Sequence, residues 1–217
     1  VRYSPNLLQH WKSATNFIQV RAEGRSAVTL PWSDAEAFRG IVDRLDARSA
    51  LHLGNSSVAR YFNYFPKCVT LYGNRGVAGI DGSLSTAVGA ALAEPARHHT
   101  VILGDQSFLY DHNALYAQEL PQNLTIYVLN NGIGGIFDWL PGTASTGAKA
   151  RKIFANAQQV DLASLVKAFN VAYVGVENEE ELATALTSAK GLTVIDCKTQ
   201  QSMNLSALKI MQEHGRA

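Results

Sequence analysis

Residues 100–131, TVILGDQSFLYDHNALYAQELPQNLTIYVLNN, decide the fold. Thr100 to Leu103 is a short aliphatic run that stops at Gly104-Asp105. A helical stretch over about 107–119 follows. Leu124 to Leu129 is a second apolar run, and it stops at Asn130-Asn131-Gly132. Strand, helix and strand within so few residues make the parallel crossover unit, which needs helices on the sheet faces.

The alternation continues in both directions. Upstream, Ser33-Asp34-Ala35-Glu36 predicts a capping box, with Ser33 as N-cap and Glu36 reaching back. The helix it opens carries Phe38, Ile41, Val42 and Leu45 on one face. Strand Ala50 to Leu53, turn Gly54-Asn55-Ser56-Ser57 and a helix through Phe65 come next. Then come strand Val69 to Tyr72, loop Gly73-Asn74-Arg75-Gly76 and a small-residue helix, Gly82 to Ala93. Downstream, the polar stretch 142–152 is expected to be a mobile loop. Helix 160–169, strand Val171 to Val174, helix 178–190, strand Leu192 to Asp196 and a helix over about 203–213 complete the pattern. The acidic run Glu177 to Glu181 suits a helix start, where negative charge meets the macrodipole. Residues 6–22 predict a further helix, with Leu7, Leu8, Trp11, Phe17 and Ile18 loosely on one side. The expected fold class is α/β, a parallel sheet with helices on both faces.

Composition narrows the function. The 217 residues are 47% hydrophobic and 17% charged, too apolar for a disordered chain. A net charge of +1 gives no basic excess for nucleic acid. The uncharged stretch Leu120 to Phe137 is broken by Pro121, three asparagines and three glycines, so no membrane span is expected. Two cysteines, Cys68 and Cys197, read as core thiols of a protein from a reducing compartment, the cytoplasm. His98-His99 reads as an exposed loop, and the histidines have no metal spacing between them; His112, close to the 107–119 helix, is the one kept as a candidate. The start, Val1-Arg2-Tyr3-Ser4-Pro5, has neither an initiator Met nor an apolar signal core, so the chain is expected to be cut from something longer.

In a parallel sheet, ligands bind outside the carboxyl ends of the strands. Those ends carry Gly54-Asn55-Ser56, Asn74-Arg75-Gly76, Gly104-Asp105 and Asn130-Asn131-Gly132. Asp105 and Asn131 lie 26 positions apart, one crossover, on the same sheet edge. A carboxylate, an amide oxygen and a nearby carbonyl make a hard oxygen site for Mg²⁺ or Ca²⁺. A helix starting near Gln106 aims N–H groups at the same place, so the pair reads as a diphosphate site. Taken singly, each residue reads first as a helix or turn cap; taken as a pair in this register, the balance reverses.

The pair Gly104-Asp105 and Asn131 resembles the diphosphate–metal motif of thiamin-diphosphate-dependent enzymes. The segment Asn74 to Ala87 (NRGVAGIDGSLSTA) is similar to the signature of one such family, the 2-succinyl-5-enolpyruvyl-6-hydroxy-3-cyclohexene-1-carboxylate synthases of menaquinone biosynthesis. Gly54 to Arg60 (GNSSVAR), Asp105 to Asn113 (DQSFLYDHN) and Asn130 to Pro141 (NNGIGGIFDWLP) agree with that family, so the likeness covers roughly 30–200.

The resemblance implies a thiamin-diphosphate-binding (diphosphate domain) fold over 33–217, with 1–32 a helix and linker from a preceding domain. It implies Mg²⁺ on Asp105, Asn131 and the carbonyl of Ile133, with Gly104, Gln106 and Ser107 at the diphosphate. It places Asn55, Ser56, Ala78, Gly79 and Ile80 against the cofactor, Ile80 as an apolar prop that otherwise reads as core. Ser56, Arg60 and Arg75 would meet carboxylate-rich substrates, since the guanidinium fork suits them. Arg60 alone reads as a solvated helix residue; Ile136, Phe137 and Leu140 read either as an apolar wall over a ring substrate or as core. The implied reaction decarboxylates 2-oxoglutarate and adds the succinyl unit to isochorismate. The activating Glu is implied on a separate N-terminal domain of a partner subunit, in a homodimer or homotetramer.

The sequence departs from the family's pattern at Gln106, at Ile133 (usually Gly) and at Asn156-Ala157-Gln158, where many relatives carry Thr-Pro-His. Rival readings are another thiamin enzyme of the 2-oxo-acid decarboxylase or acetolactate-synthase kind, or a non-catalytic fragment. A dinucleotide-binding domain is disfavoured, because no Gly-x-Gly-x-x-Gly follows the first strand.

Overall fold

A computed structural model describes residues 28–214; the helix expected over 6–22 lies outside them. Chain order gives α1 Asp34–Asp43, β1 Ala50–Leu53, α2 Ser57–Tyr61, β2 Thr70–Gly73, α3 Ser83–Ala93, β3 His99–Gly104 and α4 Asp105–Asp111. It continues with β4 Leu124–Asn130, α5 Pro141–Ala144, α6 Ala148–Ala155, α7 Leu162–Ala168, β5 Ala172–Val176, α8 Glu179–Ser188, β6 Thr193–Lys198 and α9 Gln201–His214. Six parallel strands pair in the order β2-β1-β3-β4-β6-β5.

The period-two register of the central strands divides the core in two. Val101 and Leu103 of β3, with Ile126 and Val128 of β4, pack under Leu84, Ala87 and Phe108. Ile102, Tyr127 and Leu129 point the other way, against Phe38, Ile41 and Tyr61. Both faces are buried, as covering helices require. The chain runs from β1 outward to β2, then crosses back so that β3 pairs on β1's other side. That reversal between β1 and β3 opens a crevice at their carboxyl ends.

Several expectations need correction. Ser33 Oγ accepts from the Glu36 N–H at 3.3 Å, but Glu36 does not reach back; its carboxylate takes Arg39 at 2.6 Å. The helix after β1 stops at Tyr61, well before Phe65. The 107–119 helix is α4 followed by a tighter 3₁₀ turn, His112–Tyr116. The stretch 142–152 is not one loop but holds most of α5 and most of α6. Pro141 sits at the first position of α5, where its missing N–H costs nothing. Ala is the best helix former, Lys and Arg are good ones despite their charge, and Arg151 pairs with Asp138 at 2.7 Å. Cys197 is buried as expected, whereas Cys68 is exposed, ahead of the solvent-facing edge strand β2.

His99 is no loop residue; it is fully buried in β3 and shares a 2.9 Å hydrogen bond with His52 of β1. Tyr72 stacks on His52 at 4.9 Å. Burial, with His99 adding to it, lowers His52 from 6.5 to about 4. The unfolded chain therefore takes up this proton near 6.5 and the folded chain only near 4. Stability is whole above pH 6.5 and is lost as pH falls from 6.5 toward 4. At about 1.4 kcal/mol per unit, reduced for the water that still reaches the pair, His52 contributes a loss of about 2 kcal/mol. Urea unfolding at pH 7.5 and pH 4 checks this: His52→Gln should lose about 2 kcal/mol less than the parent over that interval. Equal losses would refute the assignment.

Candidate functional site

A cavity of about 470 Å³ lies across the carboxyl ends of β1, β3 and β4. The turn after β1 reaches it by close approach to the sheet: a Cβ on Gly54 would stand 3.0 Å from Leu103 Cα. Ser56, which lines the cavity, holds φ 68, a left-handed backbone that costs a β-carbon-bearing residue about 1–3 kcal/mol. Asn55 explains why the turn persists. It is buried, and its Nδ2 donates to the carbonyls of Asn74 (2.8 Å) and Gly79 (2.5 Å). Its Oδ1 accepts from Arg75 Nη1. One amide thus ties the first strand end to the Asn74–Gly82 loop.

Asp105 and Asn131 both line this cavity. Asp105 is 2% exposed; its Oδ1 accepts from the Gln106 N–H at 2.7 Å and its Oδ2 from Gln158 Nε2 at 3.1 Å. Burial raises its pKa to about 6, Gln158 and the Gln106 N–H oppose the rise, and the charge of Asp34 adds to it. Asn131 Oδ1 accepts from the Ile133 N–H at 3.0 Å, so its turn-capping role and its place in the site coexist. Its Nδ2 donates to Asp34 Oδ2 at 2.7 Å. Asp34 also lines the cavity and is buried, which raises its pKa; bonds from Thr199, Asn131 and Asn204 work the other way. Amides, a hydroxyl and backbone N–H groups surround these two carboxyls, with no cationic side chain among the groups acting on them. Such an oxygen-rich, electron-rich set fits a divalent cation.

The remaining sequence candidates divide. Ile80 is half-buried and lines the cavity, so it is not a core residue. Gly104, Gln106, Ser107, Ile133, Ile136 and Phe137 line it too. The Ser107 hydroxyl already donates to the Ile80 carbonyl at 2.5 Å, and the Gln106 amide exchanges two hydrogen bonds with Asn156, leaving the backbone of α4's first turn to face the cavity. Ala78 (φ 55) and Gly79 do not line the cavity; they belong to the loop that Asn55 holds. Arg60 and Arg75 are exposed and do not line the cavity. Arg60 bends back one helical turn onto the Ser56 carbonyl at 2.8 Å, while Arg75 sits at the rim on Asn55. Leu140 caps α5 instead of forming the wall. His112 bonds the Leu109 carbonyl and packs on Phe169, away from the cavity.

Asp34, Tyr110, Ile153, Phe154 and Asn156 line the cavity and Gln158 reaches Asp105, none of which the sequence reading placed there. Phe154 meets Phe137 at 5.8 Å, so α6 supplies the apolar wall that Leu140 does not. The segment after α6 is fixed by Gly134 N–H to the Ala155 carbonyl (2.6 Å) and Gln158 N–H to the Gly132 carbonyl (3.0 Å). The second contact comes beside Gly132, whose φ of 72 suits glycine.

Residues 52–197 match the family model described as thiamine pyrophosphate enzyme, C-terminal TPP binding domain. The chain is 41% identical over 157 residues to the 2-succinyl-5-enolpyruvyl-6-hydroxy-3-cyclohexene-1-carboxylate synthase of Christiangramia forsetii, across 70% of this chain and 26% of that protein. It is 41% identical over 160 residues to the synthase of the same description from Flavobacterium psychrophilum, across 73% of this chain and 29% of that protein. The chain thus spans less than a third of the length of these curated relatives. Among solved structures, the Rhodococcus jostii RHA1 thiamine diphosphate-dependent 4-hydroxybenzoylformate decarboxylase shares the fold. The TM-score is 0.66 at 22% identity, over 80% of this chain and 34% of that one.

Proposed function

The chain belongs to the thiamine pyrophosphate enzyme C-terminal TPP-binding domains, and from that premise we propose that it is the diphosphate- and Mg²⁺-binding domain of a synthase that decarboxylates 2-oxoglutarate and adds the succinyl unit to isochorismate. The carrying observation is the meeting of Asp105 and Asn131 in one cavity walled by the Asn74–Gly82 loop through Ile80. The relatives' naming as 2-succinyl-5-enolpyruvyl-6-hydroxy-3-cyclohexene-1-carboxylate synthases supports the product; the substrate pair rests on the family resemblance. We assign residues 33–217 to this domain and 1–32 to the connection from a preceding one. We place the protein in the cytoplasm, where other domains and a partner subunit complete the site; among the described residues no helix is long and apolar enough to cross a membrane.

Asp105, Asn131 Oδ1 and the Ile133 carbonyl would hold Mg²⁺, and the backbone of α4's first turn would face the diphosphate. Thiamin diphosphate, when bound, supplies an electron sink that lets a 2-oxo acid lose CO₂ and pass on the remaining unit. Ile80, Ile136, Phe137 and Phe154 give the cavity an apolar wall, which would exclude water once other domains cover it and so strengthen every charge interaction inside. Arg75, held at the rim by Asn55, offers its fork to a substrate carboxylate.

The test separates cofactor from substrate. In the complete enzyme, Arg75→Ala should leave thiamin diphosphate affinity within about threefold and cut kcat/KM for the carboxylate substrates by more than about tenfold, since a hydrogen bond to a charged group is worth about 1.5–3 kcal/mol. Arg75→Lys should recover part of that, because charge remains without the fork. Equal loss of cofactor binding and turnover would make Arg75 a structural tie to Asn55 and remove the substrate assignment.

A further inference from the structure

We infer that Asp34 is a positioning residue that fixes the amide of Asn131 with Oδ1 available to the metal; this rests on the metal reading of Asp105 and Asn131. An asparagine amide can present either end. Here two neighbours of opposite character select one. Asp34 Oδ2, an acceptor, takes Nδ2 at 2.7 Å, and the Ile133 N–H, a donor, takes Oδ1 at 3.0 Å. Turning the amide over would set Nδ2 against an N–H and Oδ1 against a carboxylate. Oδ1 keeps a second lone pair for a cation.

Asp34 is itself held. It is 2% exposed, its Oδ1 accepts from the Thr199 hydroxyl, and its backbone N–H donates to Asn204 Oδ1 at 2.8 Å. The Thr199 N–H donates in turn to the Asn130 carbonyl at 2.9 Å, next to Asn131. The start of α1, the start of α9 and the end of β4 therefore converge on one side chain. Ser33 caps α1, so the carboxylate of Asp34 is not needed for that role.

Mn²⁺ titration followed by electron paramagnetic resonance, with thiamin diphosphate present, tests the inference without turnover. Asp34→Ala should weaken Mn²⁺ binding ten- to a hundredfold, the usual effect of losing an outer partner of a metal ligand. Asp34→Asn, which can still offer an oxygen to Nδ2 and a donor to Thr199, should stay within about threefold. In an Asn131→Ala background, Asp34→Ala should cost nothing more. If Asp34→Ala does not fold, Thr199→Val replaces it, with a severalfold loss expected. Unchanged affinity in Asp34→Ala or its substitute, an Asp34→Asn loss as large as the alanine loss, or additive losses would overturn the positioning role. Were Asn131→Ala and Asp105→Asn also without effect on Mn²⁺, the metal reading itself would fall and the inference with it.

Discussion

Asp105→Asn is expected to weaken Mg²⁺-dependent binding of thiamin diphosphate by more than a hundredfold while the domain stays folded. The physical reason lies in what the carboxylate faces. Asp105 is buried at the start of α4, and its two oxygens meet the Gln158 amide and the Gln106 and Gly132 N–H groups. None of these supplies a full positive charge, and the neighbouring charge of Asp34 opposes ionisation. The proposed cation is the group that would balance it. Replacing a direct ligand exceeds the 10- to 100-fold typical of an outer-shell partner. The same substitution removes a buried charge that burial disfavours, so the fold without ligand should be no less stable. Thermal unfolding with and without Mg²⁺ and thiamin diphosphate reads both effects: the ligand-induced rise in Tm should vanish, and the ligand-free Tm should hold or increase. A variant that kept its ligand-induced rise would remove Asp105 from the metal set.

The sheet was legible in the sequence because each central strand is buried on both faces. Uninterrupted apolar runs such as Leu124–Leu129 read as parallel strands, and the polar residues that end them marked the cavity rim. The pattern was read less well where polarity and structure diverge. The polar stretch 142–152 reads as a loop, yet its basic residues Lys149, Arg151 and Lys152 stand in a helix that runs on to bury Ala155. The pair His98-His99 reads as an exposed loop before a strand, yet His99 opens β3 and meets His52, 47 positions away. Asp34 was hidden for two reasons. A first-turn acid in α1 already has a local explanation, and its partner Asn131 lies 97 positions on, reached only once β4 and α1 are packed. Arg60 takes a substrate role only from the family resemblance; read alone it is a solvated helix residue, and it is exposed, with its guanidinium on the Ser56 carbonyl one helical turn back.

The chain by itself is expected to show no decarboxylation of 2-oxoglutarate, although it should bind Mg²⁺ and thiamin diphosphate weakly. The argument is about which acids are free. Among the described residues, the carboxylates that line the cavity are Asp34 and Asp105. Asp34 is committed to Asn131 and Thr199, and Asp105 to Gln106 and Gln158. Neither is left to hold the far end of the cofactor and move a proton there, the task that the family resemblance gives to a Glu on another domain. The curated relatives are more than three times as long as the matched region, which leaves room for such a domain in them. Half a site also loses orientation. Fixing reacting groups in place is worth about 7–11 kcal/mol of barrier, or roughly five to eight orders of magnitude in rate. No shortfall of that size is recovered by raising cofactor concentration. The measurement is CO₂ release from 2-oxoglutarate by the purified chain with saturating Mg²⁺ and thiamin diphosphate, repeated after the remaining domains of a relative such as the Christiangramia forsetii synthase are added. Activity should appear only with those domains and should be lost again when their activating carboxylate is changed to the amide. Turnover by the chain alone would place the activating acid within these 217 residues, and Asp34 would be the first group to re-examine, since it already stands in the cavity.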